Sequence, residues 1–259
     1  MTLTEHLREL RTRLFISMCA IVVGFVVAWL FYQQIYDQLR HPLQVAVDHL
    51  NRSRSAHIKL VINNVAGGFM LQTKISLVAG IVLSSPVWLY EIWAFIVPGL
   101  HRTEKKWTMV FVAIASPLFA AGVVLGYVVM PKGLQVLLGF TPAGVTNLID
   151  SEHYLNFMLR ILLVFGVSFE IPLFVVLLNL AGVVRAHHLS RWRSWIVFAT
   201  FVFAAVATPS TDPITMLLLA LPMTGLFLIS EVIAHLVDRR RASSSDYAAY
   251  ADDEASPLD

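Results

Sequence analysis

Six apolar runs, at about residues 14–36, 70–97, 107–130, 155–181, 195–207 and 214–237, constrain this chain more than any other feature. A backbone that crosses lipid must satisfy every N–H and C=O internally, so such runs have to be helices packed into a bundle. At 1.5 Å per residue a 23-residue helix covers roughly 35 Å, more than the hydrocarbon core of about 30 Å, and the first four runs are long enough to cross. The fifth differs, because its apolar stretch from Ile196 to Ala207 covers only about 18 Å. The sixth is interrupted by Pro222, and its strongest apolar part is confined to Met216 to Ile229. The expected fold is all-α: a polytopic bundle of six transmembrane helices filling residues 1–238, cupped because two short C-terminal spans adjoin four long ones, with a thinned bilayer beside them. Composition supports this, since 57% of the residues are hydrophobic and 14% are charged, against about 25% charge in soluble domains.

The charges sit between the runs, and their distribution sets an orientation. Arg8, Arg11 and Arg13 precede the first run, Arg102, Lys105 and Lys106 follow the second, Arg185, Arg191 and Arg193 follow the fourth, and Arg239, Arg240 and Arg241 follow the sixth. The alternate connections are poorer: Arg40, Arg52, Arg54 and Lys59 are spread thinly, then Lys132 stands alone. By the positive-inside rule both termini are expected in the cytoplasm. The two longer outer connections, 37–69 and 131–154, carry Pro42, Gly67-Gly68, Pro131 and Pro142 and are expected to form ordered caps. The first apolar run is too long for the core of a cleavable signal peptide and lacks a small-residue cleavage site after it, so it is expected to be retained.

Ahead of it, Leu3, Leu7, Leu10 and Leu14 recur at spacings of four and three, which places them on one face of a helix, opposite Glu5, His6, Arg8, Glu9, Arg11 and Arg13. An amphipathic helix over residues 2–13, lying at the membrane surface, is the expectation. At the other end, residues 239–259 are basic and then acidic, with little apolar bulk, and read as a disordered cytoplasmic tail. Net charge is only +2 and gives no reason to expect nucleic acid as a partner. Cys19, the single cysteine, has no mate for a disulfide or a thiolate metal site.

No enzyme constellation is present: there is no HExxH, CxxC or GxSxG and no glycine-rich phosphate loop. Catalysis is not expected, nor any cofactor, and His6 with Glu9 or His187-His188 makes no case for metal. The residues that need a reason are the charges in the spans, each costly by roughly 2.5 to 3.5 kcal/mol on insertion scales. Glu170 lies deep in the fourth run, next to Pro172, and reads either as a hydrogen-bonded brace of the bundle or as a polar docking point for another helix. Glu91, Lys74, Arg160 and Glu231 are nearer helix ends and can reach water along their own stems. Glu231 and His235, one turn apart, can pair with each other. Asp212, in the turn from Thr208 to Pro213, is placed to cap the sixth helix.

The stretch from Ser84 to Lys106 joins these themes. Trp88, Tyr90, Trp93 and Phe95 gather near one end of the second run, as aromatic side chains do at a headgroup layer. Beyond Pro98-Gly99 a short loop holds Glu104 as the acid among His101, Arg102, Lys105 and Lys106. Glu9 is a second carboxylate among cations. The two are either internal partners of Arg11, Arg13 or Lys105, or receivers of an external cation, for which the planar guanidinium is suited because it binds a carboxylate bidentately.

Several motifs, in order, resemble the TatC family of the twin-arginine protein translocase. His6-Leu7-Arg8-Glu9-Leu10-Arg11-Thr12-Arg13-Leu14 is similar to that family's N-terminal HLxELRxRL. The run from Ser85 to Leu100, SPVWLYEIWAFIVPGL, resembles its second-helix motif, and Phe165 to Pro172, FGVSFEIP, its fourth-helix motif. The resemblance implies a receptor in a bacterial cytoplasmic membrane. Such a receptor recognises folded cargo by the consecutive arginines of its signal peptide, assembles with single-span partner subunits of the TatA and TatB type into an oligomeric complex, and exports using the proton gradient. It assigns arginine binding to Glu9 and Glu104, functional importance to His6, Arg11, Pro42, Phe95 and Asp212, and partner-subunit contact to Glu170. Ser210-Thr211 departs from the family pattern between Pro209 and Asp212. The competing class is an ion-coupled secondary transporter in which Glu170 titrates during alternating access, for which matching halves with broken helices would be the expected sign.

Overall fold

The computed structural model describes residues 3–54, 58–62, 65–100, 105–141, 147–180, 182–207 and 213–248. Among the described residues, eight helices and two short strands follow in the order α1 (Leu3–Leu30), α2 (Tyr32–Arg54), β1 (Ile58–Val61), α3 (Gly67–Leu83), α4 (Ser85–Leu100), α5 (Lys105–Gly139), β2 (Asn147–Asp150), α6 (Ser151–Leu180), α7 (Ala186–Ala207) and α8 (Pro213–Ala248). Among the described residues, five helices are long and apolar enough to cross a membrane, and α3 with α4, bent by 56° at their junction, makes a sixth if the pair is counted as one span. The chain is a helical, multi-pass membrane protein.

The amphipathic leader does not form a separate surface helix. It runs without a break into the first span as α1, since nothing between Leu3 and Leu30 interrupts helical hydrogen bonding. Ser17, Gly24 and Ala28 make a narrow buried stripe along it, while Phe15, Val22, Val23 and Leu30 face outward. The crossing with α3 is tight: a Cβ added at Gly80 would lie 2.5 Å from the Phe25 backbone nitrogen.

The second apolar run is the bent one. Pro86 has no N–H to offer the preceding turn, and the helix breaks at Ser84. The loosened end is tied off locally: Ser84 N–H donates to Gly80 O at 2.9 Å, and the Trp88 indole N–H donates to Ile81 O at 2.8 Å. Trp88, which the sequence suggests as an interfacial anchor, thus also pins the kink.

At the end opposite the α1 N-terminus, the connections expected as caps hold α2, β1 and β2. The two strands pair in parallel, Ile58 with Asn147 through Val61 with Asp150. Pro42 lies buried inside α2. Its missing N–H leaves the carbonyl of Gln38 without a helical donor, and Tyr127 Oη of α5 supplies one at 3.0 Å. Tyr154 Oη of α6 donates in the same way to Leu39 O, at 2.8 Å in a buried site. Asp150 caps α6 by accepting the Glu152 N–H at 2.7 Å, and Lys74 of α3 pairs with Glu152.

α6 is the central element, packing against α5, α8, α3 and α7 and burying Leu155, Met158, Leu162, Phe165 and Phe169 in the main core. It ends in a Schellman motif. Gly182 takes the left-handed conformation at φ 76°, its N–H reaches Asn179 O at 2.9 Å, and Val183 N–H reaches Leu178 O at 3.0 Å.

Three expectations about the C-terminal region are refined. The last two spans are short only in apolar content, for α7 has 22 residues and α8 has 36, because their polar ends have no helix breaker and continue the helix. For the same reason residues 239–248 of the expected disordered tail extend α8; residues 249–259 lie outside the described residues. Glu231 does not pair with His235 through its carboxylate. It receives Arg193 bidentately, at 2.6 and 2.9 Å, and Ser190 Oγ at 2.7 Å, while His235 Nδ1 lies 2.9 Å from the Glu231 backbone oxygen. Asp238 completes this α7–α8 clamp by accepting Ala186 N–H at the start of α7 at 2.7 Å and Asn179 Nδ2 at 3.1 Å.

Candidate functional site

Where α1 begins and α4 ends, five side chains identified from the sequence or missed by it converge. His6, Glu9 and Arg13 share one face of α1 because positions three and four apart align on a helix. That face meets α4, which presents Glu91 and Phe95 one turn apart. The His6 ring stacks on Phe95 with centroids 4.3 Å apart and planes 15° from parallel.

Beside this stack, Arg13 is held by two carboxylates. Its Nε and Nη2 both donate to Glu9 Oε1, at 2.9 and 2.8 Å, and its Nη1 donates to Glu91 Oε2 at 2.9 Å. Glu91 is 8% exposed. Glu9 is half-buried, and its second oxygen, Oε2, has His6 Nδ1 at 3.9 Å, beyond hydrogen-bond reach. The pairing spans 78 positions of sequence, so it ties the leader to the second apolar run.

The structure therefore brings together His6, Glu9 and Phe95 among the residues assigned by resemblance, and adds Arg13 and Glu91. From the sequence, Glu91 reads as an interfacial residue free to reach water; no local signal reveals its partner. Arg11 is not in this group. Two positions from Glu9 and Arg13, it projects from the other side of α1 and is exposed. Glu104 and Asp212 lie outside the described residues. Pro42 is far from the site, in the α2 cap.

Glu170 forms a second point of interest. On α6, both of its carboxyl oxygens are shielded from solvent without a hydrogen-bond partner of good geometry, although the Trp93 indole of α4 approaches them. Trp93 itself is buried against Phe111, at 5.4 Å between centroids. A polar group in this state retains capacity to bind a donor brought by another helix. Among the described residues, no cluster of His, Cys, Asp or Glu side chains is arranged to hold a metal ion.

The fold and these sites define a polytopic membrane protein with an acidic, guanidinium-binding network at one end of its first helix. A family model described as Sec-independent protein translocase protein (TatC) matches residues 5–222. A TatC protein of Frankia casuarinae is 45% identical over 269 residues, covering 100% of this chain and 73% of the relative. One from Xylanimonas cellulosilytica is 41% identical over 242 residues, covering 93% of this chain and 86% of the relative. A crystal structure of a twin arginine translocase receptor TatC in DDM is 32% identical and superimposes with a TM-score of 0.76, over 88% of this chain and 99% of that one. A second crystal structure of such a receptor gives a TM-score of 0.74 at 32% identity, over 89% of this chain and 98% of that one. The chain belongs to the TatC family of Sec-independent protein translocase proteins, which makes it a translocase component.

Proposed function

We propose that this chain is the receptor subunit of a twin-arginine translocase, with both termini in the cytoplasm of a bacterial cell and the α1–α4 network facing the arriving signal peptide. The observation that carries this is the Glu9 carboxylate, fixed on a rigid helix and already engaged by a guanidinium. A group that binds Arg13 through hydrogen bonds of 2.8 and 2.9 Å has the geometry to bind an arginine from outside. Between the cations Arg8 and Arg11, Glu9 is the carboxylate on this stretch of α1 that a cationic peptide can engage. Glu104, which follows α4 in the sequence, serves as the second carboxylate for the arginine pair. The relatives described as twin arginine translocase receptors agree with this reading.

The apolar part of the signal then lies along the bundle, and Glu170 receives a polar group from a single-span partner subunit of the TatA or TatB type. Transport draws on the proton gradient. Crosslinking of a photoreactive signal peptide to the chain, compared with the Glu9→Ala, Glu104→Ala double variant, tests the clamp. Loss of the crosslink is expected, and an unchanged yield would remove both carboxylates from recognition.

A further inference from the structure

The Arg13 network contains two carboxylates and one guanidinium, so it carries one negative charge more than its own cation neutralises. We infer that Arg13 is an exchangeable internal occupant of the receptor carboxylate, which leaves Glu9 for Glu91 when an arginine of the signal peptide arrives. This rests on the receptor reading proposed above and goes beyond it by assigning Arg13 and Glu91 a positioning role in recognition.

The geometry makes the exchange short. Arg13 already has one nitrogen on Glu91 at 2.9 Å and two on Glu9 Oε1. Rotation about its long stem releases the Glu9 contacts while keeping an anionic partner, so no buried charge is stranded. Glu9 then offers both oxygens to the incoming guanidinium, which binds side-on. The product is neutral, two carboxylates with two guanidiniums. A lysine in the signal cannot complete it equally well, since an ammonium lacks the planar fork that takes both oxygens at once. Arg8 and Arg11 are exposed on α1 and have no share in the exchange. His6, stacked on Phe95, stands on the Oε2 side of Glu9 and leaves Oε1 for Arg13.

Glu91 is thus required for a peptide it does not touch, and a double-mutant cycle reads this directly. With the full chain in detergent, binding of a diarginine peptide should weaken about 10-fold or more on Glu91→Gln, because Arg13 then has no anion to retreat to and holds Glu9. In an Arg13→Gln background Glu9 is already open, and Glu91→Gln should change affinity less than about two-fold. Equal losses in both backgrounds would mean that Glu91 contacts the peptide itself and would overturn the exchange, as would no loss in the otherwise unsubstituted chain. Failure of the receptor reading looks different: the unsubstituted chain would bind diarginine and dilysine peptides alike, which overturns both. A measurement independent of the double variant is the Arg13 Nε–H resonance of ¹⁵N-arginine-labelled chain, assigned with Arg13→Lys. It should shift when diarginine peptide is added and stay fixed in Glu91→Gln; a resonance unmoved in both would overturn the exchange.

Discussion

Substituting Gly80 by alanine should loosen the seat of α1, and the size of the effect follows from the crossing. The added Cβ would lie 2.5 Å from Phe25 N, 2.8 Å from Phe25 Cα and 2.9 Å from Gly24 C. Non-bonded carbon contacts settle at about 3.5 to 4.0 Å, so the helices must separate by roughly 1 Å. All three atoms are backbone, and no side chain can rotate away. Overpacking of this kind costs about 1–3 kcal/mol. Gly225→Ala is the control, since a Cβ there meets nothing within 4 Å, and alanine in a helix interior gains up to about 1 kcal/mol over glycine. The two variants should therefore differ by about 2 kcal/mol or more, on the order of 5 °C in midpoint for a chain this long. Thermal unfolding of the purified chain in detergent measures the difference. Because α1 carries Glu9 and Arg13, Gly80→Ala should also weaken the diarginine peptide. Equal midpoints for Gly80→Ala and Gly225→Ala would refute the close crossing.

Three further outcomes follow from the same structure. Tyr154→Phe should destabilise the chain by about 1–3 kcal/mol, since it strips the donor from a buried Leu39 carbonyl; unchanged thermal unfolding would show that the hydroxyl does not hold the cap. Glu170→Ala should abolish co-purification of a single-span partner subunit, whereas Glu170→Gln, which keeps hydrogen-bonding capacity, should retain part of it; association that survives the alanine variant removes the docking role. Glu231→Gln should free the start of α7 from α8, read as faster amide exchange near Ser190 and Asp238, because the bidentate Arg193 contact is lost; unaltered exchange would assign the clamp to Asp238 and Asn179 alone.

The apolar runs made the helices legible, since only a closed set of helices or a barrel satisfies a backbone in lipid. What composition could not convey was where an apolar run breaks. The second run is continuous in hydropathy, and the kink at Ser84 comes from a missing proline N–H that hydropathy does not register. The leader shows the reverse: its amphipathic spacing suggests a separate helix, yet no residue between Leu10 and Leu14 ends one. At the site, His6 and Glu9 were legible through a local motif, and the resemblance drew in Phe95. Glu91 was not, because its partner lies 78 positions away and a carboxylate near a helix end has an ordinary explanation in snorkelling. Arg11 illustrates the converse limit, being inside the motif but on the far side of the helix from Glu9.

The central claim is that Glu9 reads a guanidinium and not merely a positive charge. Its most direct test is the affinity ratio between otherwise identical signal peptides carrying paired arginines or paired lysines, measured for the unsubstituted chain and for Glu9→Gln. A preference for arginine of about ten-fold or more is expected from the bidentate contact, falling to near unity in Glu9→Gln. Equal binding of the two peptides by the unsubstituted chain, or an arginine preference untouched by Glu9→Gln, would contradict it.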